Sequence, residues 1–328
     1  MGLEGNTGVL DASIRAMDRK IIAFTTFCLF ANGLLHAQVP TWMWTHPFIS
    51  GTGEGNAIKP GPQGGAYVGG QCTNGANFNG LISTGTAYDP FVGRVDENGH
   101  WLWVRRGTGY HMATVKGLDV ASSGEVVIGG TFMDSLRLGT TQLVDSPGVV
   151  QPGGFVARLD GSGNWLWAKD LVSSGISTIT DVALGPDGSV VSCGLFNDTL
   201  RVAGDTLLGG FGSIFLGKLD LGGDWIWFQQ LHAGTINFDP AVDVDGAGNI
   251  ALAGTYDQHT GFTLQDTLLP GASLWQGFLS MFDPGGNLRW ARALACDGAS
   301  FARAVTFDDA GGLYATGDFN GTVWLGDL

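Results

Sequence analysis

The side chains best suited to chemistry in this chain are its carboxylates. Of the 30 acidic residues, Glu appears only at Glu4, Glu54, Glu97 and Glu125, so nearly all the rest of the acid chemistry belongs to Asp. A glycosidase needs two carboxylates facing each other across the scissile bond. Asp239, Asp257 and Asp266 sit in contexts that do not recur along the chain and are the candidates to face a pocket, with solvated loop residues as the plainer reading. Asp243-x-Asp245-x-x-x-Asn249 spaces oxygen ligands as a calcium loop does, but the remainder of an EF-hand is missing, so an ordinary turn is expected. The histidines, His36, His46, His100, His111, His232 and His259, form neither H-x-H nor H-E-x-x-H, and a zinc-type site is not expected. Ser122, Ser162 and Ser213 lie at turns or strand starts without a neighbouring His, outside any G-x-S-x-G elbow, so serine hydrolysis is not expected either. Gly51-x-Gly53-x-Gly55 looks like part of a phosphate loop, yet no helix pattern follows to supply an N-terminal dipole. A flexible connecting loop is expected there instead.

The elements that must hold these residues follow from composition. The 328 residues carry 16 basic and 30 acidic groups, a net charge of −14, which disfavours binding to a phosphate backbone and to anionic lipid. With 44% hydrophobic residues there is material for a buried core, and a disordered chain is excluded. With 55 Gly and only 14% charged residues among dispersed Val, Ile, Phe, Trp and Thr, the chain reads as many short strands joined by tight turns, not as a helical bundle.

Residues 17 to 37 place Arg19 and Lys20 before an apolar run, Ile21 to Leu35, that ends in Leu35-His36-Ala37. This is the layout of a secretory signal peptide, and the run is shorter than a membrane-spanning helix needs. Cleavage after Ala37 is expected, with residues 1 to 16 as an over-extended start and 38 to 328 as the exported part. The expected address is therefore secreted or outer cell surface, without stable membrane insertion. Cys28 leaves with the signal, and Cys72, Cys193 and Cys296 form an odd set at non-matching positions. Cys72 and Cys193 are read as small buried apolar residues.

Two ladders organise the rest. Trp42-x-Trp44, Trp101-x-Trp103, Trp165-x-Trp167, Trp225-x-Trp227 and Leu288-x-Trp290 recur at about 60 residues. Gly70, Gly130, Gly194, Gly254 and Gly317 recur with them, and the unequal intervals of the two sets lengthen and shorten together. Whole duplicated units are implied, at about 42–100, 101–164, 165–224, 225–287 and a partial 288–328. Each unit reads as four strands in two hairpins, closed by Gly-containing turns and by Asp-x-x-Gly turns such as Asp160 to Gly163. In Trp-x-Trp the residue alternation predicts both indoles on one face and the middle Leu or Ile on the other, so both faces would be apolar. Four-stranded sheets buried on both sides and repeated in series predict an all-β fold, a β-propeller. Four full blades and a partial fifth are expected. The first unit lacks the Asp-Val of the others, which leaves its innermost strand the least defined. The long connections Met133 to Gly153 and Asp257 to Gln276 are where binding variation is expected.

Stretches such as GGFVARLDGSGNWLWAKD followed by TDVALGPDGSVVSCGLF resemble the SBBP-type β-propeller repeat of secreted Bacteroidota proteins, over about residues 41 to 328. The resemblance implies an exported or cell-surface propeller of undefined ligand, often part of a longer protein that ends in a type IX secretion sorting domain. The L-D-x-x-G-x-x-L-W element also resembles the tryptophan-docking motif of quinoprotein propellers, but unique axial Arg, Lys and acidic ligands for such a cofactor are not identified, and no cofactor is expected. The reading is a binding or structural module for an extracellular glycan or protein, and the alternative is a propeller enzyme acting in its axial funnel. The Trp and Gly ladders are assigned to building blades. Because the repeat opens with a fourth strand at Trp42-Met-Trp44 and stops after first and second strands at Arg303 to Phe307 and Leu313 to Phe319, a further Phe-x-x-x-Leu-Asp strand is expected beyond Leu328.

Overall fold

The computed structural model describes residues 21–23, 51–73, 75–78, 81–82, 88–145, 151–171, 173–232, 239–257, 262–269 and 275–324. Trp42, Trp44 and most of residues 17–37 lie outside them. Among the described residues every regular element is a β-strand, and these build a series of antiparallel blades.

Blade 1 is β1 (Gly53–Pro60), β2 (Ala66–Cys72), β3 (Asp89–Val95) and β4 (Trp101–Arg106). Blade 2 is β5 (Ala113–Val120), β6 (Val126–Met133), β7 (Pro152–Leu159) and β8 (Trp165–Leu171). Blade 3 is β9 (Ser177–Leu184), β10 (Val190–Val202), β11 (Asp205–Leu219) and β12 (Trp225–His232). Blade 4 is β13 (Ala241–Val244), β14 (Ile250–Asp257), β15 (Trp275–Phe282) and β16 (Leu288–Ala293). Blade 5 supplies β17 (Ser300–Phe307) and β18 (Leu313–Phe319). Within each four-stranded sheet the strands lie in sequence order, as successive hairpins dictate. A short extended segment, Ile21–Ala23, runs parallel to Leu313–Ala315 on the outer edge of β18.

The core is a set of seams between blades. Tyr67, Val92 and Trp103 of blade 1 pack on Val115, Leu118 and Ile128 of blade 2, and Val127, Val156 and Leu171 of blade 2 pack on Ile179, Val182 and Val190 of blade 3. Blade 3 meets blade 4 through Cys193, Ile214, Val242 and Ile250, and blade 4 meets blade 5 through Ala253, Leu279, Ala302 and Val305. Burying both faces of a sheet in this way keeps most of its apolar surface from water.

The structure corrects the sequence reading in two places. The two indoles of Trp-x-Trp do not share a face. Each fourth strand carries a register shift opposite the end of the third, at Arg94/Val95, Arg158/Leu159, Lys218/Leu219 and Met281/Phe282. The extra residue is the middle one, and a β-bulge sends its neighbours in different directions. Leu102, Leu166 and Ile226 are consequently exposed, at 53%, 50% and 56%, so the outer strand is not apolar on both sides. Second, Gly53 and Gly55 are not a connecting loop but part of β1, and the first unit forms a full innermost strand, with one bulge, without any Asp-Val.

The described parts of the long connections carry hairpins of their own. Ser135–Leu138 pairs with Thr141–Val144, Phe262–Leu264 pairs with Thr267–Leu269, and β10 and β11 prolong themselves into an equivalent hairpin. Asp134 and Asp198, at φ 68° and 58°, turn the ribbons of blades 2 and 3 away from their sheets. Leu136, Leu138, Leu143, Leu200, Phe262, Leu264 and Leu269 are buried beneath them.

Candidate functional site

In blades 1, 2, 3 and 5 the innermost strand carries an extra residue opposite the ladder glycine, at Asn56, Lys116, Thr180 and Arg303. The bulge drives a carbonyl onto the glycine Cα. A Cβ on Gly70, Gly130, Gly194 or Gly317 would lie 1.9, 2.0, 1.9 or 2.0 Å from the carbonyl oxygen of Glu54, Thr114, Thr178 or Phe301. At Gly254 the obstacle is the Phe278 ring, 2.8 Å away. The glycine ladder is thus a steric requirement of the pleat.

The extra residues are polar; Asn56, Lys116 and Thr180 reach out of their blades, while Arg303 Nε donates to Asp318 Oδ1 within blade 5. Asn56 Nδ2 donates to Thr114 Oγ1 and to the Val115 carbonyl, and Thr180 Oγ1 donates to the Pro240 carbonyl at 2.7 Å. Lys116 Nζ of blade 2 reaches Asp239 Oδ2, at 2.7 Å, just before blade 4 in sequence. Asp239, expected to face a pocket, is therefore paired with a cation.

The inner-strand aspartates form a second set of links. Asp119 Oδ2 accepts the Leu184 amide at 2.7 Å, Asp181 Oδ2 accepts the Val242 amide at 3.0 Å, and Asp243 Oδ2 accepts the Phe307 amide at 2.7 Å. Each bond joins one blade to the next. Thr306 Oγ1 adds a second donor to Asp243. In blade 1 the place of Asp119 is taken by Lys59, whose Nζ stands 3.6 Å from Asp119 Oδ1. Burial opposes the charge of Lys59, but the carboxylates of Asp119, Asp243 and Asp181 outweigh it and hold the ammonium above the ordinary lysine range. Burial pushes Asp119 up, against Lys59 and two backbone amides, and pushes Asp181 up to about 7. Three acids and one lysine converge here, yet each acid has its oxygens engaged by backbone donors.

The tryptophans make the outer links. Trp103 Nε1 donates to the Gly161 carbonyl, Trp167 Nε1 to Leu221 and Trp227 Nε1 to Pro284, at 3.2, 2.9 and 3.4 Å. Every acceptor is the second residue of the next blade's Asp-x-x-Gly turn. The indole lies against the turn's last glycine, where Gly163, Gly223 and Gly286 have φ of 79°, 83° and 82°. Trp101, Trp165 and Trp225 point the other way. Trp101 and Trp225 lie over Gly93 and Gly217 of their own third strands, and Trp165 lies against Gly139. Trp290 is half-buried against the seam of blades 4 and 5. The turn aspartates cap locally: Asp160 Oδ1 accepts the amides of Ser162 and Asn164, and Asp283 does the same for Gly285 and Asn287. Hydrogen bonds from Asn164, from Asn287 and from the His100 amide hold Asp160, Asp283 and Asp96 below the usual carboxylate range.

The remaining candidates are dispersed. Asp243 serves the seam while Asp245 accepts the amides of Ala247 and Asn249, so the calcium-like run is divided between two structural tasks. Asp257 ends β14 opposite Trp275, and Asp266 stands in a ribbon turn. His100 contacts Asp96 at 3.2 Å, His111 stacks edge-on with Tyr110, and His36, His46 and His259 lie outside the described residues. Ser213 is buried and donates to the Gly210 carbonyl, while Ser162 is a turn residue. Cys72, Cys193 and Cys296 are buried thiols in or beside blades 1, 3 and 5. Among the described residues no group of three His, Cys, Asp or Glu side chains is placed to hold a metal.

Sequence reasoning missed one feature. At the end of blade 1 where the second strand leaves and the third enters, Thr52, Gly53, Glu54, Gln71, Tyr88 and Met112 line a groove. Gln71 Nε2 donates to Glu54 Oε2 at 2.9 Å, and Tyr88 and Met112 of the lining are exposed. Their departure from the repeat is the signal that would have found them.

No family model matches this chain. An uncharacterized WD repeat-containing protein of Acanthamoeba polyphaga mimivirus is 25% identical over 123 residues, which is 34% of this chain and 9% of that protein. The chain thus matches less than a tenth of that relative's length. The WD40 domain of Neurospora crassa Pan2 aligns over 79% of this chain and 84% of its own, with 9% identity and a TM-score of 0.35. The architecture rests on the sheets themselves: sequential four-stranded antiparallel blades, joined face to face, are those of a β-propeller.

Proposed function

We propose that this chain is an exported β-propeller module that binds an extracellular glycan or protein at the end of the blades where second strands pass to third. One observation carries the reading. The recurring Trp, Asp and Gly residues serve the blade seams, whereas Glu54, Gln71, Tyr88 and Met112, which do not recur, line a groove. An exposed aromatic ring beside a few polar groups is the usual furniture of a recognition surface. The resemblance of the repeat to secreted SBBP-type propellers supports export, as does the order of charge and apolar residues in 17–37.

Binding of the purified chain to glycan and extracellular-protein arrays tests the site. A ligand found there loses affinity at least tenfold with Tyr88→Ala plus Met112→Ala while the melting temperature stays within about two degrees. Unchanged affinity in that double variant removes the groove from the reading. Export is tested separately by mass spectrometry of the protein from a Gram-negative host, where a mature start at Gln38 is expected. Peptides containing Phe24 or Phe30 in the soluble product count against it.

A further inference from the structure

The polar pair in the groove of blade 1 stands at a register position that blades 2 and 3 fill with smaller side chains. The residue after the ladder glycine pairs across to the innermost strand: Thr131 with Thr114 in blade 2, Leu195 with Thr178 in blade 3 and Gln71 with Glu54 in blade 1. Thr114, Thr131 and Thr178 are buried. In blade 1 both side chains are long and polar, and Glu54 is exposed. Gln71 Nε2 donates to Glu54 Oε2 at 2.9 Å. A carboxamide carries two N–H groups and an acceptor oxygen, and a carboxylate accepts at both oxygens, so this bond leaves a donor and acceptors side by side in the groove.

The apolar part of the lining is anchored through its backbone. Asp89, next to Tyr88, is fully buried, with Oδ1 accepting the Gly109 amide at 2.8 Å and Oδ2 standing 3.1 Å from Arg106 Nη1. The Ala113 amide donates to the Tyr88 carbonyl at 2.8 Å, and the Met133 amide to the Met112 carbonyl at 3.0 Å. These bonds fix Tyr88 and Met112 beside each other while their side chains stay exposed. A platform set in advance spares a ligand the cost of ordering it.

We propose that the groove recognises a neutral glycan by a pair of vicinal hydroxyls held between Glu54 and Gln71, with the sugar ring against Tyr88 and Met112. This rests on the groove being the binding site and narrows its ligand to one class. A hydroxyl donates and accepts at once, so neighbouring hydroxyls of a pyranose give hydrogens to Glu54 while taking one from Gln71, and the C–H face of the ring lies on the aromatic and thioether surface. A uronate, sulfate or phosphate would set a second negative charge beside Glu54, on a chain whose net charge is already −14. A protein ligand would have to bring Lys or Arg to Glu54, and it is the occupant that the test below sets against the sugar.

Calorimetric titration of the purified full chain with neutral 1,4-linked gluco-, manno-, galacto- and xylo-oligosaccharides, and with oligogalacturonate as the acidic counterpart, is the test. At least one neutral series is expected to bind one to one, and oligogalacturonate not to bind. Periodate oxidation followed by borohydride reduction, which opens vicinal diols without adding charge, is expected to abolish binding of that sugar while leaving the protein intact. Glu54→Gln and Gln71→Ala are each expected to weaken it at least tenfold with unchanged melting temperature. Absent binding by every neutral series, binding that survives periodate, equal binding of oligogalacturonate, or full affinity in either variant overturns the inference. A protein ligand that loses affinity with Tyr88→Ala plus Met112→Ala while no sugar binds overturns the sugar and keeps the groove, whereas sugar binding that survives that double variant as well as Glu54→Gln and Gln71→Ala removes the groove itself.

Discussion

Replacing Trp103 by alanine removes a side chain that is 8% exposed, lies in the seam of blades 1 and 2, and meets Tyr67 edge-on at 5.9 Å. It also removes the donor to the Gly161 carbonyl and uncovers Gly163 across the seam. Truncating a buried aromatic of this size costs about 3–5 kcal/mol. Within that, the edge contact with Tyr67 accounts for about 1 kcal/mol, and the indole hydrogen bond for about another 1 kcal/mol. Trp103→Phe, which keeps a ring and drops the donor, should therefore cost about 1–2 kcal/mol. Leu102, one residue away and 53% exposed, is the internal control, and Leu102→Ala should cost under about 0.5 kcal/mol. Urea unfolding followed by far-ultraviolet circular dichroism measures all three. The bulge argument fails if Leu102→Ala is as damaging as Trp103→Ala, since that is the outcome of an outer strand apolar on both faces.

Other consequences follow from the same geometry. Gly194→Ala drives a methyl onto the Thr178 carbonyl and should cost about 1–3 kcal/mol or more in thermal melts, while Gly246→Ala, with nothing within 4 Å, should stay within about 0.5 kcal/mol. Asp160, Asp283 and Asp96 titrate below their unfolded range, so the stability they lend is present above about pH 4 and is lost as pH falls through their folded values. Asp160→Asn should flatten that acid limb in a pH series of melting temperatures. Asp181 has the opposite sign: with a folded pKa of about 7 against about 3.9 unfolded, its contribution is complete at low pH and declines as pH rises from about 4 to 7. A neutral limb that keeps the same slope in Asp181→Ala would assign that decline to another group.

The legible part of the fold was the part that repeats. Trp, Gly and Asp-x-x-Gly recur because a seam, a pleat and a turn recur, so periodicity carried the blades and their order. Trp-x-Trp misled because alternation assumes an unbroken strand. In blade 2 Leu159 pairs with Trp165 and Arg158 with Trp167, and the unpaired Leu166 between them reverses which indole faces the seam. The inner aspartates were harder still. Aligned on Asp-Val, Asp119, Asp181 and Asp243 look equivalent, but strand pairing sets Asp181 opposite Cys193 and Asp119 opposite Val127, a shift of one full pleat period. The acid keeps its face through that shift, and the amide it grips moves from Leu184 to Val242 accordingly. The hairpins within the long connections went unread because their lengths and most of their residues vary from blade to blade. The departure of Glu54, Gln71 and Tyr88 from the repeat was legible, but their meeting in one groove was not, because it depends on how the strands pair.

The central claim is that the chemistry-bearing residues of the repeat join each blade to the next. Amide hydrogen exchange at Leu184, read residue by residue in wild type and Asp119→Ala, tests it most directly, because donor and acceptor are separated by 65 residues and by a blade boundary. The account predicts that Leu184 loses protection in Asp119→Ala while the Val242 and Phe307 amides, held by Asp181 and Asp243, keep theirs. Unchanged protection at Leu184 would contradict it.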